Sequence, residues 1–418
     1  MNESVEKRFQ TAAEQFAEYQ VDVNRALKIL DAIQLSIPCW QADDVIGLEN
    51  STVHSNWGGI MATGNYPGRA RTLEEIQTDL EQVLTLIPGT HRVNLHAMYG
   101  DFSNNPADRD AIEVSHFNVW MDWARSMNIG LDFNSTYFAH PKADSGFTLS
   151  NSDPAIRTFW TEHGKRCRAI AAALGKAQGS ACVHNTWIPD GSKDLVVDKW
   201  IRREQLKKSL DEIYAKPFPD KHLKDSMESK LFGLGSETFV VGSYDFYLSY
   251  ALTHHKIICL DMGHFHPTES VADKLSAILQ FSDEVLLHMT RSVRWDSDHV
   301  PVLNQDLCEL TQEIVRNHLL DRVILALDFF DASINRIAAY VLGVRAVQQA
   351  LMMALLEPAL TPNQPDKKHQ LLTRAEHAKT LPFGPVWDYY CASRNVPPGA
   401  RWLQQVEQYE QRVLTKRD

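Results

Sequence analysis

Apolar positions in the first thirty residues recur at helical spacing, as Phe9, Ala12, Ala13 and Phe16, and again as Val23, Ala26, Leu27 and Leu30 after a break near Val21-Asp22. From Leu35 the pattern changes. Short apolar runs now alternate with longer amphipathic stretches. The runs are Leu35–Trp40, Arg92–Tyr99, Gly130–Phe138, Ser180–Pro189, Glu228–Gly235, Lys256–Phe265, Val285–Val293 and Val323–Phe330. Helical patterns lie between most of them, over Leu73–Leu86, Pro154–Leu174, Leu195–Ile213, Ser270–Phe281 and Leu307–Leu319. Buried runs separated by helices signal parallel βαβ units, and eight of them predict an α/β fold closed as a (β/α)₈ TIM barrel. A doubly wound open sheet is the competing architecture. The barrel is preferred because each run ends in polar residues, as the C-terminal face of a barrel requires.

The pattern divides the chain into an N-terminal helical segment over 1–33, a barrel over 34–357 and a C-terminal helical extension over 358–418. The extension opens with the polar Pro362-Asn363-Gln364-Pro365-Asp366-Lys367-Lys368 and ends in helices such as Ala400–Leu414. Such a tail packs on a neighbouring subunit or caps its own barrel, and oligomerisation is the expected role. One further stretch breaks the repeat. Asn56–Arg69 follows the first run and holds four glycines and a proline, so a lid loop is expected near 56–71.

Composition narrows the function. The net charge is −11 and no stripe is cationic enough for a nucleic-acid footprint. The charged N-terminus lacks a signal-peptide core, and no run of about 18 apolar residues occurs, so neither export nor membrane insertion is expected. Six cysteines are scattered without a CxxC pair, which suits reduced thiols in the cytoplasm and makes a cysteine zinc site improbable. Neither GxGxxG nor a P-loop is present, so no nicotinamide, nucleotide or other organic cofactor is indicated.

The chemistry gathers on four successive strand ends. The fifth run opens with Glu228-Ser229-Lys230, where strand alternation would aim Glu228 and Lys230 at one face. The sixth gives Asp261 and His264; the seventh carries His288 and leads to Asp296 and Asp298; the eighth gives Asp328. Carboxylates gathered in one barrel mouth repel and must protonate or bind a cation. Mixed Asp, Glu and His suit Mn²⁺, Mg²⁺, Co²⁺ or Zn²⁺, and the excess of oxygen favours Mn²⁺ or Mg²⁺. The ligands outnumber one ion's needs. Two ions are expected, one on His264, Asp296 and Asp298, the other on Glu228, His288 and Asp328, with Asp261 shared. A lone Asp-x-Asp is usually a turn and a lone strand His a core residue; their joint occurrence on ordered strand ends makes the difference. Lys230 beside the acids could polarise a carbonyl oxygen, or simply pair with Glu228.

These residues sit in blocks that resemble the L-rhamnose isomerase family, a relative of the xylose isomerases. The blocks include Cys39–Val45, Ala62–Gly68, Asn94–Ala97, Trp187–Gly191, Glu228–Gly233, Gly263–Glu269, Val293–His299 and Leu327–Ser333. The resemblance implies an aldose–ketose isomerase converting L-rhamnose to L-rhamnulose in a cytoplasmic homotetramer with Mn²⁺. It places the catalytic ion on His264, Asp296 and Asp298 and the second ion on Glu228, His288 and Asp328, with Asp261 between them. Lys230, His96 and Asp328 are then the candidate catalytic groups, His96 as the proton shuttle for ring opening. Trp40, Phe133, Trp187 and Lys230 are the candidate substrate contacts. A metal-dependent hydrolase or epimerase on the same barrel is the alternative, and a non-catalytic sugar-binding barrel a weaker one.

Overall fold

A computed structural model of the chain describes residues 3–49, 64–194, 196–230, 238–291, 293, 298–358 and 368–417. Eight parallel strands close into a barrel: β1 (Ser36–Pro38), β2 (Arg92–His96), β3 (Gly130–Asn134), β4 (Cys182–Trp187), β5 (Leu223–Glu228), β6 (Ile257–Asp261), β7 (Val285–Met289) and β8 (Val323–Leu327). The ring is sealed by Ser36, which pairs with Arg92 on one side and Ala326 on the other. A helix follows every strand. The helices are Leu73–Leu84, Asn118–Met127, Pro154–Gln178, Lys199–Tyr214, Tyr244–Thr253, Val271–Ile278, Gln305–Arg316 and Arg336–Leu355. Several open on side-chain caps: Thr72, Asp153, Ser270, Asn304 and Asn335 each accept from a first-turn N–H.

The expected fifth strand is displaced. Its register against β4 runs from Leu223 beside Cys182 to Glu228 beside Trp187, so Glu228 ends the strand rather than opening it. Leu223-Lys224-Asp225-Ser226 reads as polar surface, yet it is buried structure. Asp225 is held by Arg168 at 2.8 and 2.9 Å, and Lys224 pairs with Glu284. The helices Asn118–Met127, Tyr244–Thr253 and Arg336–Leu355 also escaped the apolar pattern.

Side chains alternate between two cores. One face of the strands joins the helix ring in a continuous apolar cluster, while Val183, Ile257, Cys259, Leu286 and Ala326 form a small separate cluster on the lumen face. That plug leaves the C-terminal half of the lumen to polar groups. Arg336–Leu355 is long and apolar enough to cross a membrane, but it is mostly buried here, packed against Val23–Ala32, Leu73–Leu84 and Gln305–Arg316.

Both terminal segments fold onto the barrel's own helices. Phe9 of Glu3–Ala17 stacks on Tyr389 of Phe383–Ser393 at 3.8 Å. Near the end of the chain, Tyr409 and Arg417 both donate to the buried Asp79 carboxylate, at 2.6 and 2.7 Å. Of the lid expected near 56–71, residues 56–63 lie outside the described residues. At its far end Gly64 has φ +124°, and a Cβ there would meet the Ala332–Ser333 backbone at 2.4 Å. Only glycine fits that approach. Tyr66 N–H then donates to Ala332 O at 2.8 Å.

Candidate metal centre

The parallel ladder sets Glu228 beside Cys259, Asp261 beside His288, and His288 beside Ala326. Asp328 follows β8 directly. The four expected ligands Glu228, Asp261, His288 and Asp328 therefore converge, with one donor atom of each within 4.8 Å of the others. His288 Nδ1 faces Glu228 Oε1 at 3.3 Å, Asp328 Oδ2 at 3.3 Å and Asp261 Oδ2 at 3.7 Å. Outer contacts fix the carboxylates. Asn185 donates to Glu228 Oε2 at 2.5 Å, Gly263 N–H to Asp261 Oδ1 at 2.6 Å, and the Trp40 indole to Asp328 Oδ1 at 3.1 Å. Each acid thus keeps one oxygen for the centre, the arrangement that orients metal ligands elsewhere.

A second cluster adjoins the first through Asp261. It brings Asp261, His264 and Asp298 within the same reach. His264 Nδ1 lies 2.7 Å from Ser229 O, so its N–H donates there and Nε2 is turned towards Asp298 Oδ1 at 4.0 Å. A ligating histidine typically spends its other nitrogen this way. Asp298 has φ +43°, an uncommon backbone conformation that aspartate tolerates better than most residues. Its carbonyl accepts from Phe330 N–H at 3.1 Å, which ties it to the end of β8. Asp296 lies outside the described residues.

The electrostatics suit a cation. Burial pushes Asp261 up to about 7; His264 and His288 pull it down, while the charges of Glu228 and Asp328 add to the rise. Glu228 moves the other way despite its burial, because His288 and His264 hold its carboxyl well below the usual range. Glu228 Oε1, Asp261 Oδ2 and His288 Nδ1 are buried with no hydrogen-bond partner among the described residues. Orphaned buried acceptors of this kind are costly, and a divalent ion would satisfy all three at once. The residues present fit a metal ion.

An aromatic cavity opens above the acids, lined by Trp40, His96, Phe138, Trp187, Lys230 and Phe330 among others. Trp40 meets His96 edge-on at 4.8 Å, and Phe138 lies between His96 and Trp187 at 5.5 and 5.6 Å. Lys230 Nζ sits 4.8 Å from the Trp187 ring centre. Lys230 reaches the cavity from the loop after β5, since the strand has already ended, so alternation does not explain its direction. His96 Nδ1 is engaged with Thr136 Oγ1 at 3.1 Å. Burial, with the Arg109 cation nearby, lowers His96 to about 3 and keeps its ring neutral.

Phe133 does not join this wall. It packs edge-on against Phe117 at 5.0 Å, on the helix-facing side of β3, because the lumen side belongs to its neighbours Asp132 and Asn134. Phe138 takes the place expected of it. Sequence reasoning also passed over Asn134, Asn185, Val45 and Phe330. Asn185 could have been found by strand parity with Trp187. Val45 carried no such signal: it lines the cavity from a backbone with φ +60°, following Asp44 at φ +61°. A β-branched residue rarely holds that conformation. Here Asp44 is locked by a two-pronged pair with Arg336 at 2.7 and 2.8 Å, and Asp43 accepts from Gly47 N–H and Tyr99 O–H.

The chain is similar to known proteins over nearly its whole length. The family model of L-rhamnose isomerase (RhaA) matches residues 3–417. L-Rhamnose isomerase of Rhodopirellula baltica is 49% identical over 99% of this chain and 97% of its own length. Those of Bacteroides thetaiotaomicron and Listeria monocytogenes are 48% and 46% identical, each over 99% of both chains. Among solved structures, L-ribulose 3-epimerase aligns with a TM-score of 0.48 and 10% identity, over 82% of this chain and 98% of that one. D-Allulose 3-epimerase of Methylomonas sp. aligns at 0.47 and 13%, over 76% and 99%. With acids, histidines and barrel in one frame and relatives matched end to end, the chain belongs to the L-rhamnose isomerase family.

Proposed function

We propose that the chain interconverts L-rhamnose and L-rhamnulose, with Mn²⁺ held on two adjoining sets that share Asp261. The observation that carries this reading is the trio of buried, unpartnered donors Glu228 Oε1, Asp261 Oδ2 and His288 Nδ1. Oxygen-rich sets favour Mn²⁺ over softer ions. Glu228, Asp261, His288 and Asp328 would hold one ion, and Asp261, His264 and Asp298, with Asp296, the other. A bound cation supplies Lewis-acid polarisation of vicinal sugar oxygens and so acidifies the hydroxyl that becomes the ketone.

The chain's own groups do the rest. His96, neutral and anchored through Nδ1, has Nε2 with which to pass a proton to or from the ring oxygen as the sugar opens. Lys230 brings a fixed ammonium to the oxygen at C1, where negative charge develops. Asp328 is the carboxylate of its set with substrate access: its side chain is 20% exposed, against 2% for Glu228. Trp40, Phe138 and Trp187 offer flat apolar faces to the sugar's C–H side and keep water out. We further propose a cytoplasmic homotetramer. Val197, Trp200 and Ile201 are exposed together where the helix Lys199–Tyr214 begins, an apolar group suited to a subunit contact. Light scattering tests the assembly.

The test of function uses chelator-stripped enzyme and L-rhamnose in deuterated water, with Mn²⁺, Co²⁺ or Mg²⁺ restored in turn. Ketose should appear with Mn²⁺. No ketose with any cation would refute the reading. Deuterium at C1 of the product would assign an enediol route, and its absence a hydrogen shift between the carbons.

A further inference from the structure

Beneath the oxygen-rich set lies a thiol. The β5–β6 ladder places Cys259 directly beside Glu228, and strand alternation puts it on the same face of β6 as Asp261, one pleat deeper in the lumen. A carboxylate oxygen of Glu228, the Cys259 sulfur and a ring nitrogen of His288 lie within 4.8 Å of one another. All three residues are sealed, with exposures of 2%, 1% and 1%. Glu228 Oε1 and both ring nitrogens of His288 lack hydrogen-bond partners among the described residues. The other residues of the lumen cluster are apolar: Val183, Ile257, Leu286 and Ala326.

We propose that Glu228, Cys259 and His288 form an alternative, overlapping coordination set for borderline and soft divalent cations of the Zn²⁺ and Cd²⁺ kind, reaching one layer below the set suited to Mn²⁺ through Cys259. This rests on the cation reading given above. Carboxylate, thiolate and imidazole are ligands such ions accept, whereas Mn²⁺ and Mg²⁺ prefer oxygen. Binding releases the thiol proton to solvent, and one carboxylate plus one thiolate then balance the ion's two charges in a site with little water. Both sets need Glu228 and His288, so occupation is exclusive. A soft ion drawn down to Cys259 leaves Asp328, the carboxylate open to substrate, and should therefore compete with Mn²⁺ and suppress turnover. The selectivity of this position then comes from depth in the barrel as well as from donor type.

The experiment is spectroscopic. Stripped full-length enzyme is titrated with Cd²⁺, ultraviolet absorbance reports thiolate-to-metal charge transfer, and equilibrium dialysis reports binding. The wild type should develop the band on binding Cd²⁺, and a ¹¹³Cd resonance displaced to low field should mark a sulfur ligand without recourse to any variant. Cys259→Ser and Cys259→Ala should lose the band and bind Cd²⁺ at least about tenfold more weakly, while Mn²⁺ affinity stays within about threefold. Cd²⁺ bound by the wild type without either signal overturns the proposal and leaves the cation site standing. A band that survives in Cys259→Ser belongs to another cysteine and overturns it equally. Failure to bind both Cd²⁺ and Mn²⁺ overturns the cation reading as well.

Discussion

Replacing Trp40 with phenylalanine removes one N–H from the site while keeping an aromatic ring beside His96. The indole donates to Asp328 Oδ1 at 3.1 Å from a residue only 2% exposed. A hydrogen bond to an ionised acceptor contributes about 1.5–3 kcal/mol. Asp328 is itself 20% exposed, so water can take over part of that role, and the lower figure applies. About 1.5 kcal/mol corresponds to roughly tenfold weaker binding of the ion proposed for Asp328, Glu228, Asp261 and His288. Titration of stripped Trp40→Phe enzyme with Mn²⁺, followed by calorimetry or by the spin resonance of free Mn²⁺, measures it. Trp187→Phe is the control. The Trp187 indole N–H has no hydrogen-bond partner among the described residues, so its loss should leave Mn²⁺ affinity unchanged. If folded Trp40→Phe enzyme binds Mn²⁺ as tightly as the wild type, the indole does not orient Asp328 and the reasoning fails.

Two further predictions concern the scaffold. Arg168→Met strands the Asp225 carboxylate in the protein; with Lys256 Nζ still 3.2 Å away, the loss should be about 3 kcal/mol, the lower end for a broken buried pair. Urea unfolding measures this, and a second change, Asp225→Leu, should recover part of it; an unaltered midpoint for Arg168→Met would refute the account. His91 is buried neutral, its Nε2 3.0 Å from Pro88 O, and burial lowers it from 6.5 to about 4. Because the unfolded chain binds the proton first, this contribution is complete above pH 6.5 and is lost as pH falls towards 4, about 3 kcal/mol in all. His91→Gln should flatten the stability profile across that window; parallel profiles for variant and wild type would contradict it.

The barrel was legible because seven of its strands announce themselves as apolar runs, and the acids and histidines at their ends stand out in order. β5 was misplaced because its stabilising partners are remote. Asp225 looks like surface until Arg168, far off along the chain, is brought against it by the fold. The same holds for Asn185, an ordinary amide in sequence, whose grip on Glu228 exists only through the β4–β5 register. Phe133 was a parity error that could have been avoided: a residue beside Asn134 cannot share its face. The strained Asp44-Val45 turn had no local signature, since it is imposed by Arg336, 292 residues further along the chain. Asp261 and Asp328 needed no such remote information, because each closes or follows a strand, and His288 lies one residue short of a strand end; Glu228 was singled out by its acid chemistry although its strand was misplaced.

The β5–β6–β7 ladder also governs how this centre could change over evolutionary time. Ligand spacing here is inherited from peptide hydrogen bonding, which fixes neighbouring strands about 4.8 Å apart and successive residues about 3.3 Å along each. Distances of that origin come in steps. A single-residue slip in β6 would put Leu260 or Met262 where Asp261 now stands and turn the acid towards the helices. No sequence of small adjustments leads from one spacing to the next, so drift within the strands would abolish the site before it could retune it. Variation in what the enzyme accepts must therefore come from the loops and aromatic walls above, over a frame of acids and histidines as rigid as the hydrogen bonds that space it.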